Sequence, residues 1–375
     1  MKNIQMVDLH GQYLKIKSGI DSAIQQVIDS TAFIKGEEMY LFQEELSLYM
    51  GGCHVVACGN GTDALQVAMM ALELQPGDEV ITTPFTFIST VEVIRLLGLV
   101  PVLADVRGDT YNLDAGLLEG ALTQRTRAIV PVHLFGQCAH MEPILRFAQA
   151  HGLFVIEDTA QALGADYRFS DGTRKKAGTL GEIGTTSFFP SKNLGCYGDG
   201  GALFTRDDSL GTRLKALVNH GMKERYYYDY VGVNSRLDTL QAAILRVKLR
   251  ELEHYHMARQ EAADFYDRAL AGCSEIALPA RSDFSTHVFH QYTIRVPANA
   301  REELRNHLKL HGIPSMVYYP VPLHLQKAYE DLGYGKGDLP VSERLSAEVL
   351  SLPMHTELDE EQLEYISDRL VGFFK

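Results

Sequence analysis

Short apolar runs, each broken off by glycine or polar residues, constrain this chain more than any other feature. Val55-Val56 lead into Ala57-Cys58-Gly59-Asn60-Gly61, and Glu79-Val80-Ile81-Thr82-Thr83 leads into Pro84-Phe85-Thr86-Phe87. Val100-Pro101-Val102-Leu103-Ala104, Ala128-Ile129-Val130-Pro131-Val132-His133 and Leu153-Phe154-Val155-Ile156 repeat the pattern. Runs without polar alternation fit strands covered on both faces of a parallel sheet. Between them lie segments with helical spacing: Ala64, Leu65, Val67, Ala68 and Leu72; Val91 to Leu97; Leu145 to His151. This alternation predicts an α/β fold, a parallel sheet with helices on both faces. Ligands of such sheets lie beyond the carboxyl ends of the strands, so the residues closing each run are where chemistry is expected.

The flanks are read by the same rules. Residues 1–50 carry an entry arm, a helix with Ile20, Ile24, Val27 and Ile28 on one side, and a second helix from Glu37 to Met50. Gly164 to Gly184 is polar and basic, a surface hairpin or loop. Residues 201–218 read as a strand and a helix, and Tyr226-Tyr227-Tyr228-Asp229-Tyr230 as an aromatic loop. Leu240, Ala243, Ile244, Val247, Leu249 and Leu252 predict one long helix from Leu237 to His256. Beyond it, a strand at Val288 to Val296 and a helix from Arg301 to His311, stopped by Gly312-Ile313-Pro314, predict a smaller α+β domain. The domains are expected at 1–250 and 251–375.

Three stretches carry chemistry. Ser187-Phe188-Phe189-Pro190-Ser191-Lys192 places a lysine after what reads as the end of a buried strand, stopped by Pro190. Gly195, Gly198, Gly200 and Gly201 follow it. A desolvated lysine favours its neutral amine, the nucleophilic form that makes Schiff bases. Ile156 runs into Glu157-Asp158-Thr159-Ala160-Gln161; a carboxylate there could keep a pyridine nitrogen protonated, making the ring an electron sink. Gly59-Asn60-Gly61-Thr62 precedes a helix, whose first N–H groups and dipole favour an anion. No Gly-Lys-Ser/Thr follows, so this is not a Walker loop.

Together these stretches, with Asn234-Ser235-Arg236-Leu237-Asp238-Thr239-Leu240-Gln241-Ala242-Ala243, resemble the DegT/DnrJ/EryC/StrS sugar aminotransferases. The resemblance runs from Val7-Asp8-Leu9 to Leu352-Pro353-Met354-His355, and it is nearest the branch that aminates 3-keto nucleotide sugars, including UDP-2-acetamido-2-deoxy-3-oxo-glucuronate. It implies an aspartate-aminotransferase-type fold, a large domain with a mostly parallel seven-stranded sheet and a smaller C-terminal α+β domain. It also implies pyridoxal 5'-phosphate, a nucleotide-sugar substrate, L-glutamate as donor, and a homodimer with shared active sites. Amination at C4 of a 4-keto sugar is the alternative.

Carried over residue by residue, the resemblance makes Lys192 the covalent anchor and proton carrier and Asp158 the partner of the ring nitrogen. Gln161, where many relatives have His, would bond the phenolic oxygen, and Phe87 rather than Phe85 would stack on the ring. Gly61, Thr62, the backbone N–H of Asp63, Ser187 and, from the partner subunit, Asn234 would hold the phosphate. Arg236 would face a diphosphate or carboxylate. Tyr318 and Tyr319 would contact the sugar, although the family often has His-Tyr there. His133 and His324 are candidates only, since a single histidine is more often a satisfied packing residue than a functional one. Relatives that remove a sugar hydroxyl carry His at the lysine position; Lys192 argues against that chemistry.

Composition sets outer limits. The 375 residues carry a formal net charge of −13, which argues against a nucleic-acid partner without a segregated basic face. Cys53, Cys58, Cys138, Cys196 and Cys273 have no metal spacing, which suits reduced thiols in a cytoplasm and no metal site. The start Met1-Lys2-Asn3-Ile4-Gln5 lacks the apolar region of a signal peptide, and no apolar run is long enough to span a membrane.

Overall fold

The computed structural model describes residues 3–375; Met1 and Lys2, part of the start read above, lie outside the described residues. Seven strands form the main sheet: β1 (His54–Cys58), β2 (Glu79–Thr82), β3 (Val100–Leu103), β4 (Thr126–Ile129), β5 (Phe154–Asp158), β6 (Ile183–Ser187) and β7 (Gly201–Thr205). Their order is β1-β7-β6-β5-β4-β2-β3. Only β7 is antiparallel to its neighbours, β1 and β6. The mostly parallel sheet is thus as expected.

Period-two alternation divides each strand between two cores. Val56, Val80 and Ile156 face one core, closed by α3 (Gly61–Ala71). Ile81 and Val155 face another, closed by Met141–His151, while Val55 and Ala57 meet Phe42 of α2 (Glu37–Tyr49), which follows the entry helix α1 (Leu9–Ser30). The polar stretch after Gly164 is an antiparallel hairpin, Asp166–Arg168 against Arg174–Lys176. In the tyrosine run Tyr226, Tyr227 and Tyr228 are exposed while Tyr230 packs half-buried against the core under α3, and Tyr227–Tyr228 also pairs with Met222–Glu224 in a short ribbon.

Two expectations are corrected. The helix read from Leu237 to His256 is two helices, Thr239–Leu249 and Leu252–Leu270. The N–H of Glu251 bonds the carbonyl of Lys248, a tightened i→i−3 turn that breaks the ladder. Leu249 and Leu252 stay buried on either side of the break, so apolar spacing does not reveal it. The strand before the lysine ends at Ser187; Phe188 is buried just beyond it, and Phe189 is exposed.

A further core lies in the C-terminal part. Tyr292–Arg295 pairs antiparallel with Val349–Leu352. Ile294, Leu350 and Leu352 pack there with Tyr266 of the second of the two helices, Leu304 and Leu308 of Arg301–Leu310, and Ile366 and Leu370 of Glu360–Phe374.

The packing of α2 on the lysine loop yields a stability prediction. Phe42 is fully buried and sits edge-on to Phe188, ring centroids 5.4 Å apart. Phe42→Ala should lower unfolding free energy by about 3–5 kcal/mol, read from urea denaturation midpoints. A loss under about 1 kcal/mol would mean that the site collapses around the gap.

Candidate active site

Strand register gathers the three chemical stretches at one edge. Asp158 lies opposite Thr185, Ser187 opposite Gly201, and Gly201 opposite Cys58. The loops after β1, β5 and β6 therefore leave the sheet side by side. Gly61 is so close to Ser187 that a Cβ on it would stand 2.7 Å from the serine Cβ, an approach that only glycine allows.

Asp158 is buried at the end of β5. Its Oδ2 accepts from the Thr90 hydroxyl at 3.0 Å and its Oδ1 from the Ala160 N–H at 3.1 Å. Two donors leave a carboxylate further lone pairs for a third. Lys192 lies in the loop after β6, its N–H bonded to the carbonyl of Phe189 at 2.8 Å. Burial pushes its pKa down to about 8, against the pull of the Asp158 charge. Lys176 is paired with Asp166 and Lys223 with Asp229, whereas Lys192 makes no ion pair among the described residues. His290 is also buried close by, and burial, then the charges of Lys192 and Arg259, hold its pKa far below the usual imidazole value. Nothing in its sequence context marked it.

Gln161 joins the site to the C-terminal part. Its Oε1 accepts from the Phe135 N–H at 2.8 Å, which fixes the amide's orientation, and its Nε2 donates to the Tyr319 hydroxyl at 3.0 Å. One Nε2 proton remains for another acceptor. Tyr319 stands edge-on to Phe85, and Tyr318 edge-on to Tyr319. Phe85 is fully buried and stacked near Tyr111, a core residue; Phe87 is 56% exposed and keeps a face free for a ring.

At the start of α3, the amides expected near a phosphate differ in what they already bond. Asp63 donates its N–H to Oδ1 of Asn60 at 2.8 Å, as an N-cap does. That amide already closes the helix within the chain. The N–H groups of Gly61 and Thr62 donate to nothing among the described residues and are the two free for a phosphate. The Ser187 Oγ accepts from the Phe189 N–H at 3.2 Å, leaving its own proton to donate. Ser235 ties the next segment to this loop, its Oγ accepting from the Gly59 N–H at 2.9 Å. Asn234 beside it is exposed, and its side chain bonds nothing in its own chain among the described residues. Arg236 makes no ion pair there either; burial first, and then its charge, lowers the pKa of Lys35.

Support for Asp158 comes from residues that the sequence did not single out. Thr90 is distant in the chain, with no local signal. Glu157 is fully buried yet fully used: it accepts from the N–H groups of Gly178, Leu180 and Gly181 and pairs with Nε2 of His133 at 2.9 Å. His133 Nδ1 accepts from the Ala139 N–H at 3.0 Å, so Nε2 carries the proton. Of the candidate histidines, His133 is fully buried with both ring nitrogens bonded, the structural role.

A deprotonatable amine, an anchored carboxylate and free amides at a helix N-terminus fit a phosphorylated pyridine aldehyde. Comparison with known proteins agrees. The DegT/DnrJ/EryC1/StrS aminotransferase family matches residues 15–371. UDP-2-acetamido-2-deoxy-3-oxo-D-glucuronate aminotransferase of Pseudomonas aeruginosa is 45% identical over 98% of this chain and 100% of its own. A protein of Geobacillus stearothermophilus named pleiotropic regulatory protein is 45% identical over 100% of this chain and 99% of its own. Among solved structures, DesV of S. venezuelae, in complex with a ketimine intermediate, superposes with TM-score 0.96 and 38% identity, covering 100% of this chain and 99% of that one.

Burial of Lys192 makes stability depend on pH. Its folded pKa, about 8, lies below the ordinary lysine value of 10.5. Below about 8 both states are protonated and the folded chain carries the whole cost of the buried ammonium. Between the two values the unfolded chain binds more protons, so stability rises with pH. In cofactor-free protein Lys192→Met should therefore be more stable than wild type at neutral pH, by roughly 1–3 kcal/mol after allowance for partial exposure. The advantage should fade as pH passes 8 toward 10.5. Denaturation curves that differ by a constant amount across that range would refute the linkage.

Proposed function

This chain belongs to the DegT/DnrJ/EryC1/StrS aminotransferase family, and we propose that it aminates C3 of a 3-keto nucleotide-linked sugar with L-glutamate as donor. The substrate class is a UDP-2-acetamido-2-deoxy-3-oxo-hexuronate or a dTDP-3-keto-6-deoxyhexose, and the product feeds surface polysaccharides such as O-antigen. Relatives named for 3-amino or 3-oxo sugars support this choice. The observation that carries the chemistry is Lys192 on the loop after β6, half-buried, without an ion pair among the described residues and within the field of Asp158, where burial pushes its pKa down to about 8.

The cofactor is pyridoxal phosphate, which supplies an electron sink when bound. Lys192 would anchor it through Nζ and then carry a proton on that same atom to and from the reacting carbon. Asp158, held by Thr90 and Ala160, would keep the ring nitrogen protonated. Gln161 has one amide proton left for the ring oxygen, and Phe87 an open face for stacking. Gly61, Thr62 and Ser187 would hold the phosphate. Arg236 offers a rigid donor fork to the diphosphate or to a C6 carboxylate, and Tyr319, with Tyr318 beside it, would line the sugar side.

The working assembly is a cytoplasmic homodimer, with 1–250 as the cofactor-binding domain and 251–375 as the smaller one. Exposed Phe33, Ile34, Tyr226, Tyr227 and Tyr228 offer apolar area for a second copy to cover, and five buried, unbridged thiols suit a reducing compartment.

Three experiments test this. Borohydride reduction followed by peptide mapping should label Lys192, and Lys192→Arg should lose both label and turnover. With UDP- and dTDP-linked 3-keto and 4-keto sugars and 15N-glutamate, NMR should place nitrogen at C3; preferential use of the 4-keto sugars, with nitrogen at C4, would replace the C3 assignment. For assembly, mixing Lys192→Ala with Asn234→Ala protein under subunit exchange should restore activity, since one of the two sites in a mixed dimer would be intact. Persistent inactivity after demonstrated exchange would place Asn234 in its own subunit's site or in neither.

A further inference from the structure

A second lysine of the site is spent on the backbone. Lys248, in the helix Thr239–Leu249, is 1% exposed. Its ammonium donates to the carbonyl of Gly195 at 2.7 Å and lies 4.9 Å from the ring centroid of Tyr197. It makes no ion pair among the described residues, and burial lowers its pKa to about 8. A buried cation without a counter-ion is costly, so its presence here points to a specific use for the donor.

That use is legible in the loop it holds. Residues 188–197 fold back on themselves: the Lys192 N–H bonds Phe189 and the Cys196 N–H bonds Phe188, each at 2.8 Å. Gly195 is pressed so near Pro190 that a Cβ would stand 2.4 Å from the proline carbonyl oxygen. The same helix grips the loop again through Gln241, whose Oε1 accepts from the Tyr197 N–H at 2.9 Å. On the far side Asn193 donates to the Val288 carbonyl at 2.9 Å. Lys192 thus projects from a loop whose return limb is fastened to a helix by one charged hydrogen bond and one amide.

We propose that Lys248 is a positioning residue for Lys192: by pinning the Gly195 carbonyl it sets where the Lys192 amine can reach. This rests on Lys192 as the cofactor-bearing lysine.

The test uses holoenzyme. Lys248→Met keeps the length and removes the donor; Lys248→Gln keeps a donor without the charge. Each is examined by borohydride labelling, by near-visible circular dichroism of the bound cofactor, and by kcat and KM for glutamate. In Lys248→Met the label should remain on Lys192, the dichroic band should weaken, and kcat should fall about ten- to a hundredfold with KM little changed, as expected of lost alignment. Lys248→Gln should recover part of both band and kcat. A folded Lys248→Met with the wild-type band and kcat within about twofold overturns the proposal. If neither variant folds or takes up cofactor, Lys248 is a residue of the fold and the proposal fails. Absence of label from Lys192 in wild type instead overturns the site reading, and the inference falls with it.

Discussion

The structure depends on the reversed strand β7. It lies between β6 and β1 and pairs antiparallel with both. A chain leaving β6 through the lysine loop can turn straight back along β7, because antiparallel neighbours need no long crossover. The same strand sets β1 into register, so that Cys58, Gly201 and Ser187 stand in one row. The glycine loop after β1 then meets the end of β6, and the N-terminus of α3 lies against Ser187. A one-residue slip would turn alternate side chains to the wrong face and pull the amides of Gly61 and Thr62 away from the lysine loop.

Buried charge around this edge is managed in two ways. Glu157 and His133 are saturated with hydrogen bonds, and Asp158 is partly satisfied by Thr90 and Ala160 with capacity left over. Lys192 and Lys248 are charged groups in a setting that disfavours charge, and both are lowered to about 8 by burial. Saturated groups hold position, and an amine with a depressed pKa can exchange its proton near neutrality. The neighbours Glu157 and Asp158 thus divide the work: one knits the turn at 178–181 to the sheet, and the other faces the site.

On the proposed assignment, reaction chemistry and substrate choice are separated in space. Lys192 and Asp158 hang from the central sheet. Tyr318 and Tyr319 come from the C-terminal part and reach the site through Gln161. Arg236 comes from the segment held against Gly59 by Ser235. Moving the ketone by one carbon would need only a rotated sugar over an unchanged lysine, so on the proposed assignment regiochemistry would depend on these outer residues.

Much of this was legible in the chain itself. Unbroken apolar runs with helical segments between them specify a parallel sheet, because only strands covered on both faces can be apolar throughout. Pro190 and the glycines mark the lysine loop because backbone limits act locally. The residues expected to do chemistry at Asp158, Gln161, Ser187 and Lys192 do meet at one edge. Tertiary structure alone decided which polar groups were already taken. The Asp63 amide was bonded to Asn60, the long helix after Leu237 broke at Glu251, and Thr90, Gln161–Tyr319 and Lys248–Gly195 paired across large sequence separations. The physical reason is that propensity and spacing act over a few neighbouring residues, whereas hydrogen-bond saturation and desolvation depend on what the folded chain brings into contact.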